Sequence, residues 1–292
     1  MTRSLLRTTV GRGAAGAAFV LGLSLALAGC SSSADEPPAG TPTGESPSGG
    51  ADTTPDGDLS GELTVFAAAS LQQVFDQLVA EFEAQNPGVT VDPVTYDGSS
   101  TLVTQLTEGA SADVFASADQ NNMAKAVDGG IVDGDPTVFT TNTLQIAVAP
   151  GNPEGISSLQ DLVDLAAGGG KVVLCAAEVP CGTASHTALD AAGVSLTPAS
   201  EEQNVTAVLT KVASGEADAG LVYRTDVQGS DGAVEGVDFP EAAQAVNQYP
   251  IALLNQGARG ADDDGSIGRA FIDLVLSDTG QQVLADAGFV AP

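Results

Sequence analysis

The feature that most constrains this chain is an apolar run whose period changes partway along. Leu63-Thr64-Val65-Phe66 reads as a buried β-strand, and Ala67-Ala68-Ala69-Ser70 leads from it into a helix. From Leu71 the apolar residues fall at Leu71, Val74, Phe75, Leu78, Val79 and Phe82, the spacing of one helix face. Ser70 stands at the N-cap position of that helix. On this stretch alone Ser70 has two readings. It caps its own helix, or the helix end, with unpaired N–H groups and a positive dipole facing outward, receives an anion.

The same unit recurs. Val89 to Tyr96 alternates as a strand and leads through Asp97-Gly98-Ser99-Ser100-Thr101 into a helix with Leu102, Val103 and Leu106. Asp113 to Asp119 is a short strand whose last residue is a good N-cap for the helix holding Met123 and Val127. Thr143 to Ala149 is a strand, and Ser157-Ser158-Leu159-Gln160 reads as a capping box for a helix through Leu165. Lys171 to Leu174 is a strand that runs through Cys175 and Cys181-Gly182 into a helix through Leu189. Asn204 caps a helix with Val205, Val208, Leu209 and Val212 on one face. Asp218 to Tyr223 and Tyr249 to Leu254 are strands, and two helices, Ile267 to Leu276 and Thr279 to Ala287, end the chain. Strands alternating with helices predict an α/β fold with mostly parallel sheets.

Before residue 61 the chain is of another kind. Residues 1–30 read as a secretory signal, with Arg3, Arg7 and Arg12 ahead of an apolar core. That core ends in Leu27-Ala28-Gly29-Cys30, which resembles a bacterial lipobox and implies a lipidated Cys30. Residues 31–60 are rich in Ser, Gly, Pro and acidic residues and read as a disordered tether. Net charge is −29, from nine Lys and Arg against 38 Asp and Glu, which excludes a nucleic-acid-binding role. The same acidity repels anions at long range, so an anion site here has to work through hydrogen bonds and helix ends.

Catalytic groups are scarce. The one histidine, His186, falls inside a helix, and no serine sits in a nucleophile elbow. No C-x-x-C pair exists, and no cofactor is expected. With Cys30 lipidated, Cys175 and Cys181 remain; outside the cytoplasm they are most simply a disulfide, with two free buried thiols as the alternative. The strand-to-helix turns at Ser70, Ser99, Cys181-Gly182 and Asn204-Val205, together with Tyr223, offer hydroxyls and backbone N–H groups and no Lys or Arg. A fully deprotonated oxyanion needs such a set of donors.

In this order, Val65-Phe66-Ala67-Ala68-Ala69-Ser70-Leu71, Ser99-Ser100-Thr101-Leu102, Ala112-Asp113-Val114-Phe115-Ala116-Ser117-Ala118-Asp119, Val179-Pro180-x-Gly182 and Leu221-Val222-Tyr223 resemble the substrate-binding proteins of molybdate ABC transporters. Thr279-Gly280-Gln281-Gln282-Val283-Leu284 with Gly288-Phe289 is similar to that family's last helix. The resemblance covers residues 61–292. It implies a type II periplasmic-binding-protein fold, with lobe I at 61–141 plus 250–292 and lobe II at 142–249. It implies a non-enzymatic, monomeric lipoprotein outside the cytoplasm that holds molybdate or tungstate in the cleft and delivers it to a permease with its ATPase. Molybdenum would be bound only as the oxyanion. By position, Ser70 and Ser99 would donate from one lobe, and Cys181 and Val205 (backbone N–H) and Tyr223 (hydroxyl) from the other. That family commonly has alanine where Cys181 stands. Asp97, beside the Ser99 turn, would either repel a dianion or accept a proton from a protonated anion. The rival readings are a binder of sulfate, phosphate or another small solute, a secreted serine-dependent hydrolase, and an adhesive lipoprotein without a small ligand.

Overall fold

A computed structural model describes residues 59–255 and 264–292. The signal, Cys30 and all of the tether but its last two residues lie outside the described residues. In chain order the elements are β1 (Ser60–Leu63), β2 (Val65–Ala68), α1 (Gln72–Gln85), β3 (Gly88–Val91), β4 (Thr95–Asp97), α2 (Ser99–Thr107), β5 (Val114–Ala116), α3 (Gln120–Asp128), β6 (Val132–Asn142) and β7 (Leu144–Val148). They continue with α4 (Leu159–Ala167), β8 (Val172–Cys175), α5 (Pro180–Ala192), β9 (Ser200–Glu202), α6 (Val205–Ala213), β10 (Ala219–Tyr223), α7 (Arg224–Gln228), β11 (Glu235–Val237) and β12 (Asn247–Leu254). The last two are α8 (Ser266–Leu276) and α9 (Asp278–Asp286).

Two five-stranded sheets carry the fold. One has the order β4-β2-β5-β12-β6, the other β11-β7-β10-β8-β9. The sheets are mixed. β2 runs parallel to β4 and β5, whereas β12 is antiparallel to both β5 and β6. In the second sheet β8 is parallel to β9 and β10, and β7 is antiparallel to β10 and β11. The antiparallel pairs arise where the chain changes sheets: β6 leaves the first sheet at Asn142 and β12 re-enters it at Asn247. These two asparagines sit opposite each other in the β6–β12 ladder.

The cores are separate. One apolar cluster draws only on residues between Leu144 and Ala245, and two others only on residues outside that span. In the first sheet the two-residue strand period puts Val65, Ala67, Val114 and Ala116 on the face packed with Phe75, Phe82 and Phe271. Phe66 and Phe115 point the other way, onto Leu102, Val103 and Met123. Both faces are covered, which is why these strands read as continuous apolar runs. The buried stripe of α1 is Val74, Phe75, Leu78 and Phe82, each worth about 1.5–3 kcal/mol of transfer free energy as an upper estimate.

Several expectations are adjusted. The strand predicted from Val89 to Tyr96 is two, β3 and β4, separated at Asp92-Pro93-Val94, because Pro93 has no N–H for a ladder. α4 begins after Ser158, whose hydroxyl accepts the Asp161 N–H; the acidic partner in this cap is Asp161 rather than Gln160. Ser70 is no N-cap. It lies in a 3-10 turn, Ala69–Leu71, that precedes α1, and α1 has no side-chain cap.

Candidate functional site

Each strand-to-helix turn singled out in the sequence ends at one place. A cavity of about 10 Å³ is lined by Ala68, Ala69, Ser70, Asp97, Gly98, Ser99 and Ala118 from the first lobe, and by Pro180, Cys181, Asn204, Val205 and Tyr223 from the second. That is room for about one water-sized sphere. All five predicted site residues line it, and none of the lining residues is Lys, Arg or His.

The donors come from helix starts. In α2 the first backbone bonds run from Thr101 and Leu102 to the Gly98 carbonyl, so the Ser99 N–H precedes the helical ladder. In α5 the first is Thr183 N–H to Val179, and Pro180 at the first position has no N–H to give. Cys181 and Gly182 therefore hold the leading amides. Val205 is the first residue of α6, whose cap Asn204 accepts the Ala207 N–H at 2.9 Å. Each helix end also brings its dipole to the cavity.

The α5 turn is held tightly. Cys175 and Cys181 form a disulfide, S–S 2.00 Å. Gly182 is required beside it, because a Cβ there would meet the Ala176 carbonyl oxygen at 1.8 Å.

The hydroxyls have defined surroundings. Ser99 is fully buried, and its Oγ accepts the Ala118 N–H at 2.9 Å. Ser70 Oγ lies 2.9 Å from the Tyr249 hydroxyl. Tyr223 ends β10 with 1% of its surface exposed, and its hydroxyl is buried without a hydrogen-bond partner. Burial pushes the Tyr223 phenol well above its ordinary pKa, so it stays protonated. The Tyr223 N–H donates to Asp226 Oδ2 at 2.8 Å. Burial pushes the Asp226 carboxyl up to about 7, against the lowering effect of that N–H.

Asp97 is placed by the structure as well. Its Oδ1 accepts the Gly98 N–H at 2.7 Å and, across the cleft, Asn204 Nδ2 at 2.9 Å. His186 lies in α5 and is not among the cavity residues. No cluster of His, Cys, Asp or Glu suited to a metal ion occurs among the described residues, and no described helix is long and apolar enough to cross a membrane. Sequence reasoning missed Tyr249, Asn142 and the Asn204 side chain as members of this site. Their partners lie between 83 and 179 residues away, and no local signal marks them.

Two lobes with separate cores, joined by two crossovers and meeting at helix N-termini around one small cavity, define a two-lobed solute-binding protein. Over residues 63–290 the chain matches the family of bacterial extracellular solute-binding proteins, and it belongs to that family. The molybdate-binding protein ModA of Mycobacterium tuberculosis is 46% identical over 230 residues, covering 79% of this chain and 85% of that protein. ModA of Escherichia coli is 30% identical over 236 residues, with 78% and 89% covered. The periplasmic molybdate-binding protein of Azotobacter vinelandii has the same fold, with a TM-score of 0.65 at 20% identity, covering 79% of this chain and 99% of that one.

Proposed function

We propose that this protein captures molybdate, and tungstate of the same shape and charge, outside the cytoplasm and hands it to an ABC importer made of a permease and its ATPase. No covalent chemistry is part of this role. The observation that carries it is the set of residues that line the cavity: Ser70, Ser99, Cys181 and Val205 at the starts of helical turns, which have amides to offer, and the Tyr223 hydroxyl, with one carboxylate, Asp97, and no basic side chain. A tetrahedral dianion accepts hydrogen bonds at every oxygen and has no proton to give, so neutral donors and helix dipoles suit it. Lys or Arg would add charge but also attract other anions.

The buried, unpartnered Tyr223 hydroxyl supports the same reading, since a buried polar group without a partner is costly unless a ligand meets it. The small size of the cavity and its lining from both lobes support a mechanism of closure. Entry requires the lobes to part, and a ligand touching donors on both lobes favours the closed state by its differential affinity. Lipidation of Cys30 would keep the protein, as a monomer, at the membrane surface beside its permease.

Titration calorimetry with molybdate, tungstate, sulfate and phosphate tests the reading. Heat with molybdate and tungstate at micromolar concentration is expected, with weaker binding of sulfate. Hydrogen phosphate carries a proton that calls for an acceptor; Oδ1 of Asp97 already accepts two hydrogen bonds, which leaves its Oδ2 as the one carboxylate oxygen in the cavity lining to receive it. Absence of heat with molybdate would overturn the assignment, and preference for sulfate or phosphate would redirect it within the oxyanion class.

A further inference from the structure

A hydroxyl has one proton and two lone pairs, so it serves an anion only if its proton is directed there. At Ser99 the direction is fixed. Its Oγ accepts the Ala118 N–H at 2.9 Å, and an amide N–H can only donate. The Ser99 proton is therefore left for another acceptor. Asn247 holds the strand end that supplies this amide, its Nδ2 donating to the Ala118 carbonyl at 2.8 Å.

At Ser70 the partner is another hydroxyl, and direction has to be traced. Asn142 Oδ1 accepts the Thr143 N–H at 2.9 Å, which settles which end of that amide is which. Asn142 Nδ2 then donates to Thr225 Oγ1 at 2.8 Å and, at 3.5 Å, to the Tyr249 hydroxyl oxygen. Tyr249 is fully buried, with its ring edge-on to Phe139, Phe289 and Tyr223 at 5.6–6.5 Å. Three groups surround its hydroxyl: Asn142 Nδ2 can only donate, the Tyr223 hydroxyl lies near without a hydrogen bond of normal geometry, and Ser70 Oγ at 2.9 Å is the well-placed acceptor for the phenolic proton. The opposite arrangement would leave that proton only the Tyr223 hydroxyl, with which no hydrogen bond of normal geometry forms, and a buried proton so poorly met is costly.

We propose that Tyr249 is a positioning residue for the oxyanion site: it donates to Ser70 Oγ, as the Ala118 amide does to Ser99 Oγ, so that both serine protons point to the ligand. This rests on the oxyanion reading above and adds to it a source of selectivity. A serine locked as a donor meets a fully deprotonated anion well. It meets a protonated oxygen badly, because it cannot turn to accept.

The test is a double-mutant cycle on the full chain, with Kd measured by calorimetry for molybdate and for phosphate. In Tyr249→Phe, Ser70 is free to turn, so molybdate affinity falls about tenfold and the preference for molybdate over phosphate shrinks. In the Ser70→Ala background the same change at 249 costs almost nothing. A purely packing role for Tyr249 would instead weaken both anions equally and persist without Ser70, which would overturn the proposal. If the unsubstituted protein binds no molybdate, the oxyanion reading itself fails, a result distinct from the former. A measurement on the unsubstituted complex needs no variant. A slowly exchanging Tyr249 hydroxyl proton with a nuclear Overhauser contact to the Ser70 β-protons is expected, and a Ser70 hydroxyl proton directed at the Tyr249 ring would overturn the assignment.

Discussion

Asp97 Oδ1 accepts a hydrogen bond from Asn204 Nδ2 at 2.9 Å, joining the end of β4 in one lobe to the cap of α6 in the other. The same asparagine uses its Oδ1 to hold the Ala207 N–H, so one amide both shapes the helix end bearing Val205 and ties the lobes together. The carboxylate that looked out of place beside an anion site thus has a second employment. It accepts two fixed donors, Gly98 N–H and Asn204 Nδ2, that would otherwise have to be met elsewhere.

Serine caps helices about as well as asparagine but is too short to reach across the cleft. Asn204→Ser is therefore expected to leave the thermal stability of the ligand-free protein nearly unchanged and to weaken molybdate binding about tenfold. Loss of a hydrogen bond to a charged group costs on the order of 1.5 kcal/mol at the low end. Calorimetric titration alongside a thermal melt separates the two effects. An unchanged Kd would show that the bond contributes nothing to closure.

Gly98 gives a sharper test of closure. Its φ of −60° and ψ of 135° suit any residue, so alanine there is compatible with the fold of its own lobe. In the closed structure, however, an added Cβ would lie 2.1 Å from the Gln203 carbonyl oxygen on the opposite lobe. Gly98→Ala is expected to melt within about a degree of the parent without ligand and to bind molybdate at least 100-fold more weakly. The rise in Tm seen with saturating molybdate should vanish with it, since ligand stabilisation follows RT ln(1 + [L]/Kd). Normal binding by this variant would mean that the closed geometry is not the binding geometry.

Much of this was legible in the sequence, and the parts that were not share a physical reason. Helices α1, α2, α5 and α6 follow from apolar spacing and cap residues, which are local signals. Ser70, Ser99, Cys181 and Val205 drew attention as helix starts and Tyr223 as a strand end, while their role as ligand donors came from the family resemblance; all five line the cavity. β6 was missed: Asp133, Gly134, Asp135 and Pro136 break any alternation, and it is a strand only because β12 pairs with it, at the sheet edge where proline is tolerated. Ser70 looked like a cap because it precedes an apolar face. Its actual partner, Tyr249, is 179 residues away, and such a pairing is set by the meeting of β12 with the start of α1 rather than by either segment.

The disulfide should matter more to the site than its short loop suggests. Cys175 and Cys181 are six residues apart, and closing so small a loop stabilises by about 2 kcal/mol in the chain-entropy model. A Cys175→Ala, Cys181→Ala double variant is then expected to lose roughly 4–8 °C in Tm, taking 2–4 °C per kcal/mol for a domain of this size. Because the bridge fixes the turn that offers the Cys181 amide, molybdate affinity should fall as well, by about tenfold. Calorimetry and a melt on the same sample measure both. Unchanged affinity would assign the turn's geometry to the Gly182–Ala176 contact alone.

Asp226 predicts a pH dependence of stability whose sign is the reverse of the common one for carboxylates. Burial raises its folded-state pKa from the ordinary 3.8 to about 7. Between these values the folded protein holds a proton that the unfolded chain has released, so folding stability falls as pH climbs from about 4 to about 7 and is flat above. The full shift at about 1.4 kcal/mol per pKa unit is an upper bound, because Asp226 retains some solvent contact and its oxygen accepts the Tyr223 N–H. Asp226→Asn keeps an acceptor for that N–H and removes the titration. Melts of the ligand-free protein at pH 5 and pH 8 are expected to show a larger drop in Tm for the parent than for the variant, by a few degrees. The two should converge only at about pH 4 and below, with the variant the more stable at pH 8. Parallel pH profiles for parent and variant would show that Asp226 stays ionised in the folded protein, and the pH slope would then have to come from other carboxylates such as Asp119, which burial also raises.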